Sequence, residues 1–280
     1  MNFKKVAGFV GLVASSVLAV STSPAQAFNL NSGSNLGTCS VLSDPFVGAV
    51  FGQLISQGTT GSCTTADGFT LTASGGNLQG KNVNGFKGIG VTSDLNTDPT
   101  LAEINFGESI SMTVPGATGG ILGSIDFSAM FQPGVFSDEV FEVAEVVASV
   151  FGGGTYTGTL RITGNNTALW NVGGLIVDQV VNAISPSTPN GGGYYSVSNP
   201  FANLAVTNLL FRPTNGSSSA ASYVASNVGL GSPATSYQNS DFGVGGVALK
   251  SVPEPTTLAG LGIVGSLLVA SRRRRANAAS

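Results

Sequence analysis

The chain has 280 residues, among them 40 glycines and no histidine, and only 9% of its residues are charged. The lack of histidine excludes catalytic triads with a histidine base and metal sites with histidine ligands. Between the two terminal segments, residues 28–251 carry five basic and 13 acidic side chains, a net charge of −8. Such an acidic body repels a phosphate backbone, which excludes nucleic-acid binding as a function.

The first 27 residues are typical of an export signal. Two lysines precede an uncharged apolar run at 6–20. Ala25 and Ala27 form the small-x-small pattern that signal peptidase accepts, which predicts a mature protein that begins near Phe28. An N-terminal membrane helix is the alternative, but the run is shorter than the roughly 20 residues that a span needs.

Residues 28–66 contain few strand signals and both cysteines of the chain. They predict a loop-rich extension with one short helix at 45–57, where apolar residues have helical spacing. In an oxidising compartment an isolated cysteine pair, here Cys39 and Cys63, usually forms a disulfide that would pin this extension. Two buried free thiols and half of a metal site are the alternatives.

Residues 67–251 alternate short apolar blocks with Gly, Asn and Ser, a pattern that is typical of an exported β-domain. The predicted strands lie at 69–72, 86–91, 104–106, 109–114, 121–127, 155–163, 204–211 and 242–252. Together they predict an all-β fold, a single β-sandwich of jelly-roll type.

Three further stretches of this domain lack a clear strand pattern. Residues 138–151 begin with two acids and fit a helical face, yet half of them are Val or Phe, which favour strands. We therefore predict a strand there, with a helix as the alternative. Residues 185–200 and 213–240 are rich in Gly, Ser, Asn and Pro and predict long surface loops.

A run of oxygen-bearing side chains at alternate positions, Asp94, Asn96 and Asp98, is a candidate calcium site. Calcium prefers such hard oxygen ligands, and Glu103 is available as a fourth. Pro99 stands where a calcium loop usually has glycine, however, and Asp and Asn also favour ordinary turns. A weak calcium site and a plain loop both stay open, and no other cofactor is predicted.

Aromatic side chains suggest a glycan contact. Tyr194 and Tyr195 follow three glycines in a predicted loop, so their rings are candidates for stacking on sugars. The apolar neighbours of Trp170 predict instead that this residue lies in the core.

Acidic pairs suggest a second chemistry, because glycoside hydrolysis needs only one acid and one base or nucleophile. The available pairs are Glu103 with Glu108 and Glu142 with Glu145. Acids at such spacings are more often solvated surface residues, and we predict that the protein is not an enzyme.

The C-terminal segment, residues 252–280, has three parts in a fixed order. Its prolines fix φ and keep the preceding residues out of the helical region, which predicts an extended strip formed by Val252, Pro253, Glu254 and Pro255. An apolar helix follows at 256–271, about 24 Å long against a hydrocarbon core of about 30 Å. A cluster of four cations then stays on the cytoplasmic side, formed by Arg272, Arg273, Arg274 and Arg275.

This order of parts resembles the PEP-CTERM sorting signal of exported Gram-negative proteins. The resemblance covers about the last thirty residues. It implies recognition by an exosortase, a membrane-embedded cysteine protease or transpeptidase that cuts near Pro-Glu-Pro and releases or re-attaches the body. It also implies a bacterium that makes exopolysaccharide. An ordinary single-pass anchor is the alternative, but a longer span would serve that role better.

We therefore expect a non-enzymatic exported protein whose precursor is held transiently in the inner membrane by its C-terminal helix. Its destination is the cell surface or the extracellular matrix, in association with exopolysaccharide, and its processing partners are signal peptidase and the exosortase. A carbohydrate-binding β-sandwich is the alternative function, and a carboxylate-dependent glycoside hydrolase is a third hypothesis.

Overall fold

The computed structural model describes residues 26–32, 36–42, 60–92, 102–105, 107–136, 140–214 and 240–250, with the backbone alone at 40–42. All of them belong to one unit, Ala25–Lys250. The helix predicted at 45–57, most of the loop predicted at 213–240 and the C-terminal segment lie outside the described residues.

The described residues form fourteen strands and one 3-10 helix, Gly37–Leu42, and they contain no α-helix. The strands are β1 (Ala27–Asn29), β2 (Ser62–Thr64), β3 (Thr70–Ser74), β4 (Asn77–Val83), β5 (Phe86–Thr92), β6 (Ser109–Thr113), β7 (Gly120–Ser128), β8 (Val143–Val150), β9 (Thr155–Ile162), β10 (Thr167–Val172), β11 (Ile176–Ser185), β12 (Tyr194–Ser198), β13 (Ala205–Pro213) and β14 (Gly243–Leu249). The prediction of an all-β fold is confirmed.

Seven of these strands pair in a closed antiparallel ring, in the order β7, β13, β8, β9, β10, β11, β12 and back to β7. The remaining strands extend this barrel on two sides. Strands β14, β5 and β4 continue from β7, with β1 beside β14, whereas β6, β3 and β2 continue from β13. A barrel with added strands does not confirm the predicted jelly-roll sandwich, because β13 pairs with β7 as well as with β8 and so closes the ring.

The β4–β5 hairpin shows how local sequence sets an element. Its two-residue turn, Asn84-Gly85, has positive φ at both positions, 50° and 91°. Asn-Gly is the preferred pair for this turn, because its twist matches that of the flanking strands. The turn is thus the local signal for β4, whose residues include few β-branched side chains and were not predicted as a strand.

An aromatic cluster lies in the core of the barrel. The Phe127 ring centroid is 6.1 Å from that of Trp170, 6.4 Å from that of Phe211 and 5.9 Å from that of Phe242. The indole N–H of Trp170 donates to the carbonyl of Pro200 at 2.9 Å, so this fully buried ring has no unsatisfied polar atom. The predicted core position of Trp170 is confirmed.

Two stretches with irregular sequence patterns, 138–151 and 185–200, each contain a strand. Strand β8 occupies most of 138–151, which confirms the strand prediction there. Strand β12 lies within 185–200, so the prediction of one long loop is wrong for 194–198.

The described parts of 28–66 pack within the barrel unit. Strand β1 pairs with β14 along its whole length. Phe28 and Leu30 are buried in the main core, and so are Cys39 and Cys63, which form the predicted disulfide. The disulfide therefore fixes core residues of the barrel unit.

Candidate functional site

A group of charged side chains lies largely buried among the described residues of the barrel unit. Lys81 of β4 forms an ion pair with Glu103, which lies in the segment beside β5. Glu142 precedes β8 and Asp241 precedes β14, and all three acids are buried. We call Lys81, Glu103, Glu142 and Asp241 the charged cluster.

Electrostatics keep Lys81 charged within this cluster. Burial by itself lowers the pKa of Lys81, but the ion pair and hydrogen bond with Glu103 oppose burial, and so do the charges of Asp241 and Glu142. Their sum raises the pKa above its usual 10.5. A permanently protonated lysine is an anchor for carboxylates, and it is a poor nucleophile or base.

Glu142 joins the cluster to the backbone around it. One of its carboxylate oxygens accepts the backbone N–H of Phe131, and its own N–H donates to the Phe131 carbonyl at 3.2 Å. Its carbonyl accepts the N–H of Ile162 at the end of β9. The charged cluster therefore holds strands and connections in place.

A second polar centre surrounds Asp126 of β7. Its carboxylate accepts hydrogen bonds from the Tyr194 hydroxyl at 3.1 Å, the Asn29 amide at 2.7 Å and the Ser196 hydroxyl. Burial raises the pKa of Asp126 above its usual 3.8, although the three donors oppose that change. This centre joins three strands, β1, β7 and β12.

The predicted glycan contact requires a correction. Tyr194 and Tyr195 lie on strand β12 and are 3% and 0% exposed. The Tyr194 ring packs on Phe86 of β5 with centroids 5.3 Å apart, and Tyr195 lies in the main core. Consecutive strand residues point to opposite faces, and both faces of β12 are covered here, so neither ring presents a free face to a sugar.

The four candidate catalytic acids all have structural partners. Glu103 pairs with Lys81, and Glu145 pairs with Arg212 at 2.6 Å. Glu108 accepts the N–H of Asn105 at 2.9 Å, and Glu142 accepts that of Phe131. Bonds of this kind are typical of acids that stabilise a fold.

The candidate calcium ligands are only partly described. Asp94, Asn96 and Asp98 lie outside the described residues, whereas Glu103 is bound to an ammonium group. Across the described ranges, no group of three or more acidic or cysteine side chains has a geometry suited to a metal ion. The calcium site stays a prediction.

The terminal signals also fall mostly outside the described residues. Ala27 starts strand β1, whereas Ala25 and the whole sorting segment are not described. In the part of the chain that is described, no helix is long and apolar enough to cross a membrane.

Comparison with known proteins identifies the C-terminal segment. Residues 251–275 match the family model of the PEP-CTERM protein-sorting motif. No curated protein and no solved structure matches the chain significantly. The chain therefore carries a PEP-CTERM motif, which marks it as an exported protein that is targeted to an exosortase.

Proposed function

We propose that the mature protein is a non-enzymatic component of the cell surface or extracellular matrix that associates with exopolysaccharide. The observation that carries this proposal is the position of the sorting motif. Strand β14 ends at Leu249, and the N–H of Lys250 donates to the Ile121 carbonyl at 2.8 Å. The motif begins at the next residue, so a cut at Pro-Glu-Pro would remove no described strand from the barrel.

The bonding partners of the candidate catalytic acids support a structural role. The candidate catalytic carboxylates hold an ammonium, a guanidinium or backbone N–H groups. The chain also lacks histidine, the commonest general base. We propose no cofactor apart from the weak calcium site predicted at 94–103, which calorimetric titration of the mature protein with calcium would test.

Intact mass spectrometry of the protein from exporting cells tests the processing. We expect a mature chain that starts near Phe28, lacks Arg272–Arg275 and has lost two hydrogens through the disulfide. In cells without the exosortase, and in the Glu254→Ala variant, we expect the arginines to be retained. Thr257→Ala, just beyond the Pro-Glu-Pro strip, is the matched control. An identical full-length tail in wild-type and exosortase-deficient cells would contradict exosortase processing.

Co-sedimentation with the exopolysaccharide of the same cells tests the association. We expect the mature protein to sediment with the polymer and to release no new reducing ends from it. Release that is lost in Glu103→Gln or Glu142→Gln, in a variant that keeps the thermal unfolding midpoint of the wild type, would instead support the glycosidase hypothesis. Protein that stays in the supernatant would refute the association while leaving the sorting result intact.

A further inference from the structure

The large exposed apolar side chains of the described residues are Phe151, Leu175, Val177, Val180 and Ile184. Phe151 lies in the β8–β9 turn, and Leu175 lies in the β10–β11 turn. Val177 is the second residue of β11 and is 79% exposed. Single exposed apolar residues are common on proteins, so these three are informative only if the two turns share one surface.

Backbone hydrogen bonds place the β8–β9 turn beside the point where the chain leaves the last strand. The Phe151 N–H donates to the Ala205 carbonyl at 2.8 Å, and Ala205 pairs with Ile121. The Ile121 carbonyl accepts the N–H of Lys250, just beyond β14, at 2.8 Å. Neighbouring strands are about 4.8 Å apart, so the backbone of Phe151 lies within about 15 Å of that of Lys250. We call this end of the barrel unit, which carries Lys250, the exit end.

The β10–β11 turn projects from the exit end as well. Strands β8 and β10 run in the same direction, because each is antiparallel to β9. The Gln179 amide contacts the last residue of β12, Ser198, and β11 extends from that level back to the turn at 173–175. A Cβ atom at Gly152 or Gly173 would meet no atom within 4 Å, so both turns reach into open space.

The connections at the exit end carry no charge. Because Ala205 and Ile121 pair there, the segments that lead into β13 and β7, 199–204 and 114–119, lie at the same end as the two turns. None of these four connections contains Asp, Glu, Lys or Arg. The charged residues that flank the exit end are Lys250, Asp178 at the start of β11, and Asp67 in the β2–β3 turn.

The acids of the charged cluster lie at the opposite end. Strands β8 and β14 both run toward the exit end, and Glu142 and Asp241 precede them. Strands of seven or eight residues are about 20 Å long or more, so this distance separates the two acids from the exit end. One end of the barrel unit therefore has exposed apolar turns without charge, and the other has the charged cluster.

The length of the connecting chain limits how far the exit end can stand from a membrane. This step rests on the predicted insertion of residues 256–271 into the inner membrane, and it does not depend on the association with exopolysaccharide. Five residues, 251–255, separate Lys250 from the apolar segment, and they reach at most about 18 Å when fully extended. The exit end is therefore the part of the barrel unit that is tethered close to the lipid surface.

We propose that the exit end docks on the lipid surface of the membrane that holds the precursor, with Phe151, Leu175 and Val177 inserted among the headgroups. Exposed apolar side chains gain by entering the boundary between headgroups and acyl chains, and the charged cluster stays in water at the opposite end. The acidic body favours uncharged or zwitterionic lipids, because anionic headgroups would repel it.

Fluorescence quenching tests the docking on the precursor, with its C-terminal segment intact, from exosortase-deficient cells. The precursor is reconstituted in phosphatidylcholine vesicles, and flotation with the vesicles reports insertion. Both natural cysteines are bonded to each other, so one added cysteine carries the only fluorescent label. The labelled variants are Phe151→Cys and Leu175→Cys. Ile184→Cys is the matched control, because Ile184 and Phe151 are both 58% exposed and Ile184 lies at the far end of β11.

We expect lipids brominated near their headgroups to quench the labels at 151 and 175 by about half or more, because interfacial apolar residues lie about 5–10 Å deep. The label at 184, about 23 Å further along β11 than Val177, should keep its emission. Phe151→Asp should restore the emission of the label at 175, because a carboxylate is costly in lipid. Ile184→Asp should leave that label quenched. Each variant should keep the thermal unfolding midpoint of the wild type, because the substituted side chains are exposed.

Four results would overturn the proposal. Precursor that floats with the vesicles while all three labels keep their emission would refute docking and leave the sorting result intact. Equal quenching at 151 and 184 would show that the body has no fixed orientation on the lipid. A change in emission that depends on protein concentration and not on lipid bromination would assign this surface to a second copy of the chain. Precursor that does not float would refute the insertion of 256–271, on which docking rests.

Discussion

Lys81 holds a positive charge at a position where burial by itself would favour the neutral amine. Its side chain is 23% exposed and that of Glu103 is 4% exposed, so most of the pair is shielded from water. Removal of one partner from such a pair leaves an uncompensated buried charge, which costs more than the pair contributes.

The charged cluster can be tested with Lys81→Met. We expect this variant to lose about 3 kcal/mol in the free energy of unfolding, measured by urea denaturation, because Glu103 stays buried without its cation. The double variant, Lys81→Met with Glu103→Gln, should lose less unfolding free energy than Lys81→Met alone, because no unpaired carboxylate is then left buried. Arg212→Met is the control, because its side chain is 51% exposed and its pair with Glu145 should contribute less than about 1 kcal/mol. Equal losses in the two single variants would contradict the role of burial.

Asp126 gives a prediction on pH. Its pKa is higher in the native state than its usual 3.8, so the native carboxyl binds its proton more tightly than the unfolded one does. Its contribution to stability is therefore complete below pH 3.8 and is lost as the pH rises through the raised native pKa. Asp126→Asn does not titrate. We expect the stability of the wild type relative to this variant to fall as the pH rises above 3.8 in parallel urea titrations, and a constant difference would refute the shift.

At the scale of elements, strands β9 and β10 depend on a close approach between a glycine and a tryptophan. A Cβ atom at Gly158 of β9 would lie 2.3 Å from the Trp170 ring on β10. The ring cannot move freely, because its indole N–H is bonded to the Pro200 carbonyl and it makes a T-shaped contact with the Phe201 ring, with centroids 5.8 Å apart. Glycine at 158 thus leaves the room that the Trp170 ring occupies beside the neighbouring strand.

We expect Gly158→Ala to destabilise the protein by about 1–3 kcal/mol, the usual cost of overpacking. Thermal denaturation followed by tryptophan fluorescence would measure this loss. Gly173→Ala is the matched control, because nothing lies within 4 Å of its added Cβ and its φ is ordinary. A similar loss in both variants would point to glycine flexibility as the cause, and the contact with Trp170 would then be irrelevant.

At the scale of the whole molecule, the first and last strands of the described residues pair with each other. Strand β1 pairs with β14, and the Leu249 N–H donates to the Gln26 carbonyl at 2.7 Å. Cleavage before Phe28 would remove Ala27 of β1 and the Gln26 carbonyl that accepts the Leu249 N–H. It would keep the ring of Phe28 in the core, where it lies 5.9 Å from that of Phe69. The predicted processing sites at both ends therefore leave the barrel unit nearly whole.

The disulfide joins the 3-10 helix to β2 across a sequence separation of 24 residues. Loop-closure entropy predicts that Cys39→Ala with Cys63→Ala lowers the free energy of unfolding by about 3 kcal/mol, and the loss of two buried sulfur atoms adds to this. Urea denaturation of oxidised wild type, reduced wild type and the double variant would measure the effect. If reduction leaves the midpoint unchanged, the disulfide does not restrain the unfolded chain.

The sequence by itself determined the β class, the disulfide partners and the sorting motif. The β class follows from stretches such as 86–91 and 121–127, in which side chains alternate with the period of a strand. The disulfide partners follow because a chain with two cysteines allows one intramolecular pairing. The sorting motif is contiguous in sequence, so it can be recognised without the fold. The tertiary structure alone decided the closure of the barrel, which depends on β13 meeting the distant strand β7. It also decided the burial of Tyr194 and Tyr195 and the pairing of Lys81 with Glu103. Local pattern describes one strand at a time, whereas the exposure of a side chain depends on which other strands cover each face of its sheet.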